Sequence, residues 1–142
     1  MRISARNILK GTIVEVKDGA VSGVVTIEAG GTLLTSDITM EAIHDLRLAP
    51  GMPAYAVVKA SHVAFAAGDK PIEGISARNQ LVGTVSTIRP GAVNGRISLA
   101  LPDGGIITGS ITNDAIKELG LEVGSPAVAI VKATDVMIGV DE

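Results

Sequence analysis

Ile3-Ser4-Ala5-Arg6-Asn7 and Ile75-Ser76-Ala77-Arg78-Asn79 are the same five residues, set 75 − 3 = 72 positions apart in a chain of 142. The match continues at that spacing. Residues 3–27 and 75–99 share 12 identities in 25 positions, including Leu9, Gly11, Thr12, Gly19, Ala20, Val21 and Gly23 with their partners. One residue then enters the second copy, and residues 39–64 and 112–137 share 13 identities in 26 at an offset of 112 − 39 = 73. A period this long in only two copies reads as a duplicated domain; a solenoid stacks three or more units. The expected division is a first domain over 1–68, a linker over 69–74 and a second domain over 75–142. A linker this short predicts that the two units sit in a fixed relation.

Within each copy the pattern changes from period two to helical spacing and back. In the first copy, Ile8–Lys17, Val21–Glu28 and Thr32–Ile38 read as strands separated by Asp18-Gly19-Ala20 and Ala29-Gly30-Gly31 turns. Gly11 inside the first strand marks a bulge or a close backbone approach. Ala42, Ile43 and Leu46 then form one apolar stripe of a short helix, with Thr39 as its N-cap and Glu41 near the positive end of its dipole. After Pro50-Gly51 come two more strand-like runs, Ala54–Ala60 and His62–Ala66. The second copy repeats the scheme. The expected fold is all-β with short helices: two tandem OB-like Greek-key barrels of order βββαββ, with an open sheet under a covering helix as the alternative.

Composition narrows the function classes. Apolar residues make up 46% of the chain, with one Phe, one Tyr and no Trp, so Val, Ile, Leu and Ala must build the core. Units of about 70 residues bury limited surface by themselves, and so apolar a chain is expected to bury more between subunits. A net charge of −3 and a pI near 5.3 disfavour a broad surface for nucleic acid or an anionic membrane. There is no cysteine for a disulfide or a thiolate metal site. No stretch is long and apolar enough to span a bilayer, and the start of the chain lacks the apolar core of a signal peptide. The expected location is the cytoplasm.

Three features kept in both copies could hold an anion. If residues 3–7 are extended, Ser4 and Arg6 share one face and Ala5 and Asn7 the other; Ser76 and Arg78 repeat this. Lys59 and Lys132 lie inside apolar strands, where an unpaired ammonium is disfavoured, and Ser61 or Thr134 follows two residues later on the same face. Thr39 and Thr112 stand at helix starts, where free backbone N–H groups attract anions. Each also has a plain structural reading: a solvated edge arginine, a lysine snorkelling from a rim, a helix cap. Together they are cations and neutral donors with no shared carboxylate, a set that suits a small multivalent oxyanion. Gly19-Ala20-Val21 and Gly91-Ala92-Val93-Asn94 are either hairpin turns or nests of N–H groups aimed at an anion. His44 and His62 have no counterparts, so no metal-cation site is expected. No Ser-His-Asp set, catalytic carboxylate pair or phosphate-binding Gly-rich loop is present, and no enzymatic activity is expected.

The combination of Ser-Ala-Arg-Asn, Gly-Thr, Gly-Ala-Val, a threonine before a short helix and Val-Lys-Ala-Ser/Thr, repeated along almost the whole chain, resembles the molbindin (Mop) family. That resemblance implies binding of molybdate, and of tungstate, for cytoplasmic molybdenum storage or homeostasis. It implies a homo-oligomer, a trimer of six domains. By position it implies ligand sites using Ser4, Arg6, Thr39, Lys59, Ala60 and Ser61, and Ser76, Arg78, Thr112, Lys132, Ala133 and Thr134. It also implies axial sites using Gly19, Ala20 and Val21, or Gly91, Ala92, Val93 and Asn94. Ser22 stands where the family often has the asparagine that the second copy keeps as Asn94, so the two ends are expected to differ. The competing class is an OB-type module that binds nucleic acid or protein. Its discriminator is aromatic stacking surface, of which this composition leaves almost none.

Overall fold

The computed structural model describes residues 1–141. The first copy contributes β1 (Asn7–Lys17), β2 (Ser22–Ala29), β3 (Thr32–Thr39), α1 (Met40–Asp45), β4 (Pro53–Val58) and β5 (Ala64–Ala67). The second contributes β6 (Asn79–Arg89), β7 (Asn94–Ala100), β8 (Ile106–Thr112), α2 (Asn113–Glu118), β9 (Pro126–Val131) and β10 (Met137–Gly139). The expected two OB-like barrels are present. Equivalent residues fill them: Ile13, Val25, Ile27 and Leu34 in one, Val85, Ile97, Leu99 and Ile107 in the other, all buried.

The barrels differ from the sequence repeat by one strand. The two sheets run β10-β4-β1-β2-β3 and β5-β9-β6-β7-β8, so each copy donates its last strand to the other's sheet. Phe65 of β5 pairs with Ala129, and Ile138 of β10 pairs with Ala56. The packing around the exchanged strands is complementary. A side chain at Gly109 would collide with the Phe65 ring. At the equivalent place in the other barrel the smaller Ile138 is matched by Ser36, whose hydroxyl donates to the Val136 carbonyl. One apolar cluster consequently runs through both barrels.

Local chemistry sets the helices and hairpins. Thr39 and Thr112 are N-caps whose hydroxyl oxygens accept the Ala42 and Ala115 amides at 3.1 Å. Gly23 and Gly95 let each helix seat on the barrel, because a Cβ there would meet the Ile43 or Ile116 side chain. Gly11 is a close approach to the Glu28 carbonyl and not a bulge; the β1–β2 register slips between Ile13 and Glu15 instead. The linker is anchored by Gln80, whose amide exchanges two hydrogen bonds with the backbone of Ile72.

A second tie between the copies is a pair of asparagines. Asn7 Nδ2 donates to the Thr108 carbonyl and Oδ1 accepts the Thr108 N–H, both at 2.7 Å. Asn79 does the same to Thr35 at 2.8 Å. Thr108 and Thr35 lie on β8 and β3, the outer strands of the two sheets. Each asparagine, only 2% exposed, therefore caps an edge of the opposite barrel that would otherwise leave ladder groups unpaired.

Two stability outcomes are expected. Asn79→Ala leaves an N–H and a C=O of Thr35 without partners and is expected to cost about 2–3 kcal/mol, read by urea denaturation. Arg47 holds φ 53°, where the second copy has Gly120 at φ 64°. Arg47→Gly is expected to stabilise the chain by about 1 kcal/mol, read as a higher unfolding midpoint.

Candidate functional site

The alternation expected for the repeated pentapeptide is present. Ala5 and Asn7 point inward while Ser4 and Arg6 face solvent, and in the second copy Asn79 is buried while Ser76 and Arg78 are exposed. The buried asparagine sets this phase. It also starts β6, where Asn79 lies opposite Val131. The ladders begin at Asn79 opposite Val131 and at Asn7 opposite Val58, so Arg78 and Arg6 stand one residue before them while Lys132 and Lys59 stand one residue after.

The lysines differ from expectation in one respect. β4 ends at Val58 and β9 at Val131, so Lys59 and Lys132 lie just beyond the apolar strands, exposed, each opening a one-turn 3₁₀ segment, Ala60–His62 or Ala133–Asp135. The expected runs Ala54–Ala60 and His62–Ala66 are broken there. Placing an ammonium at the strand end avoids the cost of burying it in the sheet. The 3₁₀ turn brings Ser61 and Thr134 to the surface by its own curvature, not by strand alternation. The two turns also meet: His62 Nδ1 lies 3.8 Å from Asp135 Oδ1, the equivalent residue of the other copy.

In the second copy these parts converge. Ser76, Ala77, Arg78, Lys132, Ala133 and Thr134 line one cavity of about 200 Å³. It contains two cations, two hydroxyls and no carboxylate, and among the described residues neither Arg78 nor Lys132 is in an ion pair. Like charges set side by side repel, so the cavity is electrostatically incomplete until an anion enters. In the first copy, Ser4, Lys59, Ala60 and Ser61 occupy the equivalent positions. Arg6 lines a different cavity, against β6, β7 and β8.

Within one chain, Thr39 and Thr112 belong to the other predicted group. Thr112 pairs with Asn94 across β7 and β8, and Thr39 with Ser22 across β2 and β3, so each cap sits beside a Gly-Ala-Val hairpin. The helix amides expected to be free are partly used. Thr39 takes the Ala42 N–H and the Val21 carbonyl takes that of Met40; Thr112 and the Val93 carbonyl do the same for Ala115 and Asn113. Gly19, Ala20, Gly91 and Ala92 are exposed turn residues. Val21 and Val93 are 79% and 71% exposed at the hairpin tips. The two ends also differ in the hydrogen bonds that the helix residues make to the hairpins. Asn113 Nδ2 bonds the Gly91 carbonyl at one end, and Met40 Sδ accepts the Gly19 N–H at the other. Asn113 Oδ1 is buried without a partner among the described residues.

Sequence reasoning placed Asn7 and Asn79 on the inner face without giving them a task, and it did not single out Arg89 or Arg96. The signal for the asparagines was there: a polar residue kept on the core-facing phase of both copies needs a buried partner. His44 and His62 form no cluster of metal ligands with other acidic or histidine residues among those described.

Comparison with known proteins agrees with this architecture. Residues 3–65 and 75–138 each match the TOBE domain. The molybdenum transport protein ModE of Herbaspirillum seropedicae is 41% identical over 143 residues, covering 100% of this chain and 53% of that protein. The molybdenum-pterin-binding protein MopA of Rhodobacter capsulatus is 41% identical over 139 residues, covering 97% and 52%. The chain thus spans about half the length of these relatives. A crystal structure of the cytoplasmic molybdate-binding protein ModG, with molybdate bound, superposes with a TM-score of 0.94 at 45% identity and covers 99% of this chain and 100% of that one. The resemblance read from the repeated motifs therefore holds, and the chain belongs to the TOBE-domain family, whose domain it carries twice.

Proposed function

We propose that this protein binds molybdate, and tungstate of the same shape and charge, without chemical change, for cytoplasmic molybdenum storage or homeostasis. The observation that carries the reading is the cavity that Arg78 and Lys132 line together: two cations flanked by Ser76 and Thr134, with no carboxylate. A doubly charged tetrahedral oxyanion relieves the repulsion and accepts charge-assisted bonds from both cations. The likeness to ModG, whose structure holds molybdate, and to the Mop proteins supports the choice of anion.

The first copy carries the same residue types in Ser4, Arg6, Lys59, Ala60 and Ser61, with Arg6 lining the cavity against β6, β7 and β8. We assign Thr39 and Thr112, with Gly19, Ala20 and Val21 or Gly91, Ala92, Val93 and Asn94, to axial sites at the hairpin ends. The exposed Val21 and Val93 support assembly of several copies there, a trimer being the expected form. A nucleic-acid module is disfavoured because Phe65, the only phenylalanine, is a core residue, 8% exposed. A second reading comes from the transcriptional regulator ModE of Yersinia pestis, 33% identical over 140 residues and covered for 52% of its length. In a protein of that kind this module would serve as the anion sensor.

Arg78→Ala and Lys132→Met are each expected to weaken molybdate binding by about 1.5–3 kcal/mol, with Arg6→Ala and Lys59→Met acting likewise on the first copy. Unchanged affinities by calorimetry would contradict the assigned residues. Sulfate, a smaller oxyanion of the same charge, is expected to bind more weakly through cavity size; equal affinity would reduce the protein to a general anion binder.

A further inference from the structure

The outward face of β6, β7 and β8 carries two rows of side chains in register. Nearest the hairpin, Arg89 stands opposite Arg96, and Arg96 opposite Ser110; in the next row, Thr87 stands opposite Ser98, and Ser98 opposite Thr108. The Ser98 and Thr108 hydroxyls are 2.8 Å apart. Arg6 reaches this face from the first copy, brought there by the bonds of Asn7 to Thr108. Two cavities follow the rows. One of about 250 Å³ joins Arg6 to Arg89, Arg96 and the hydroxyl row, and one of about 260 Å³ continues past Arg89 and Arg96 to Asn94 and Ser110. No carboxylate lines either, and among the described residues none of the three arginines is in an ion pair.

The equivalent face of the first barrel is built otherwise. Lys17 stands where Arg89 does, Val24 for Arg96, Glu15 for Thr87 and Asp37 for Ser110. Lys17 is neutralised by Glu15 at 3.6 Å. The charge over these positions is +1 − 2 = −1 in the first barrel and +2 in the second. The duplicated fold does not require the arginines, and setting two of them directly opposite across antiparallel strands is destabilising without a counter-anion.

We propose that this trough is a second anion site, separate from the Arg78–Lys132 cavity, and that it takes a ligand with two linked anionic groups, of the inorganic diphosphate class. The rows are one pleat repeat apart, about 7 Å. A single tetrahedral ion at the Arg89–Arg96 pair does not span to Arg6 beside Thr108, whereas two linked tetrahedra do. The guanidiniums bind the ends, and the Ser98–Thr108 pair, which spends one hydroxyl proton between its members, donates the other to the middle.

The test is calorimetric titration of the full chain with inorganic pyrophosphate, with and without saturating molybdate. Saturable binding is expected, at least tenfold tighter than orthophosphate; because Arg6 is shared with the first-copy molybdate set, saturating molybdate is expected to weaken it and not to abolish it. Both arginines are exposed, so an Arg89→Ala/Arg96→Ala double variant is expected to fold, to lose at least tenfold in pyrophosphate affinity and to keep its molybdate affinity. The proposal is overturned if the parent does not bind pyrophosphate, if saturating molybdate abolishes that binding, if orthophosphate binds equally well, or if the double variant binds pyrophosphate like the parent. It is also overturned if a single-stranded oligonucleotide binds the same arginines more tightly than pyrophosphate does. Arg78→Ala tests the molybdate site separately, since it is expected to weaken molybdate binding at its cavity and retain pyrophosphate.

Discussion

Two buried asparagine side chains hold this molecule together as one body. Each spends both its donor and its acceptor on a single threonine backbone in the other barrel, Asn7 on Thr108 and Asn79 on Thr35. The effect is to extend a β-ladder by one side chain and to close an edge that a small barrel would otherwise leave open. The exchanged strands β5 and β10 act with them, and the core becomes continuous across the pair. A domain of about 70 residues rich in small aliphatic side chains buries too little surface alone, and fusing two such units is the physical remedy.

The same asparagines connect the fold to the chemistry. Because Asn79 points inward, Arg78 points outward, and because Asn79 lies opposite Val131 at the end of the ladder, Arg78 and Lys132 come to line one cavity. Repulsion between fixed like charges is then available to be relieved by an oxyanion, which is how a chain with a net charge of −3 can still hold a local anion site. Net charge governs long-range attraction; local donors and cations govern a pocket of this size.

Much of this was legible in the sequence because the chain is written twice. Duplication separated retained residues from drifting ones, so Ser4, Arg6, Lys59 and their counterparts stood out, and the βββαββ order followed from period and turn chemistry. What could not be read was long-range. Nothing in the pattern of Phe65 or Ile138 says which sheet receives their strands; that depends on the space left by Gly109 and Ser36, more than forty residues from Phe65 and a hundred from Ile138. The place of Thr39 and Thr112 was also obscured. Their cap chemistry was evident, but their position beside the hairpins depends on the β2–β3 and β7–β8 registers. Lys59 and Lys132 looked like strand residues because the apolar run continues up to them, whereas the ladder stops one residue earlier.

The central claim is that an oxyanion completes the cation pair at Arg78 and Lys132. A crystal structure of the protein with molybdate, phased or mapped at the molybdenum edge, tests it most directly. The account predicts an anomalous peak within hydrogen-bonding reach of Arg78, Lys132 and Thr134. Molybdenum peaks confined to other parts of the molecule, with this cavity holding only solvent, would contradict it.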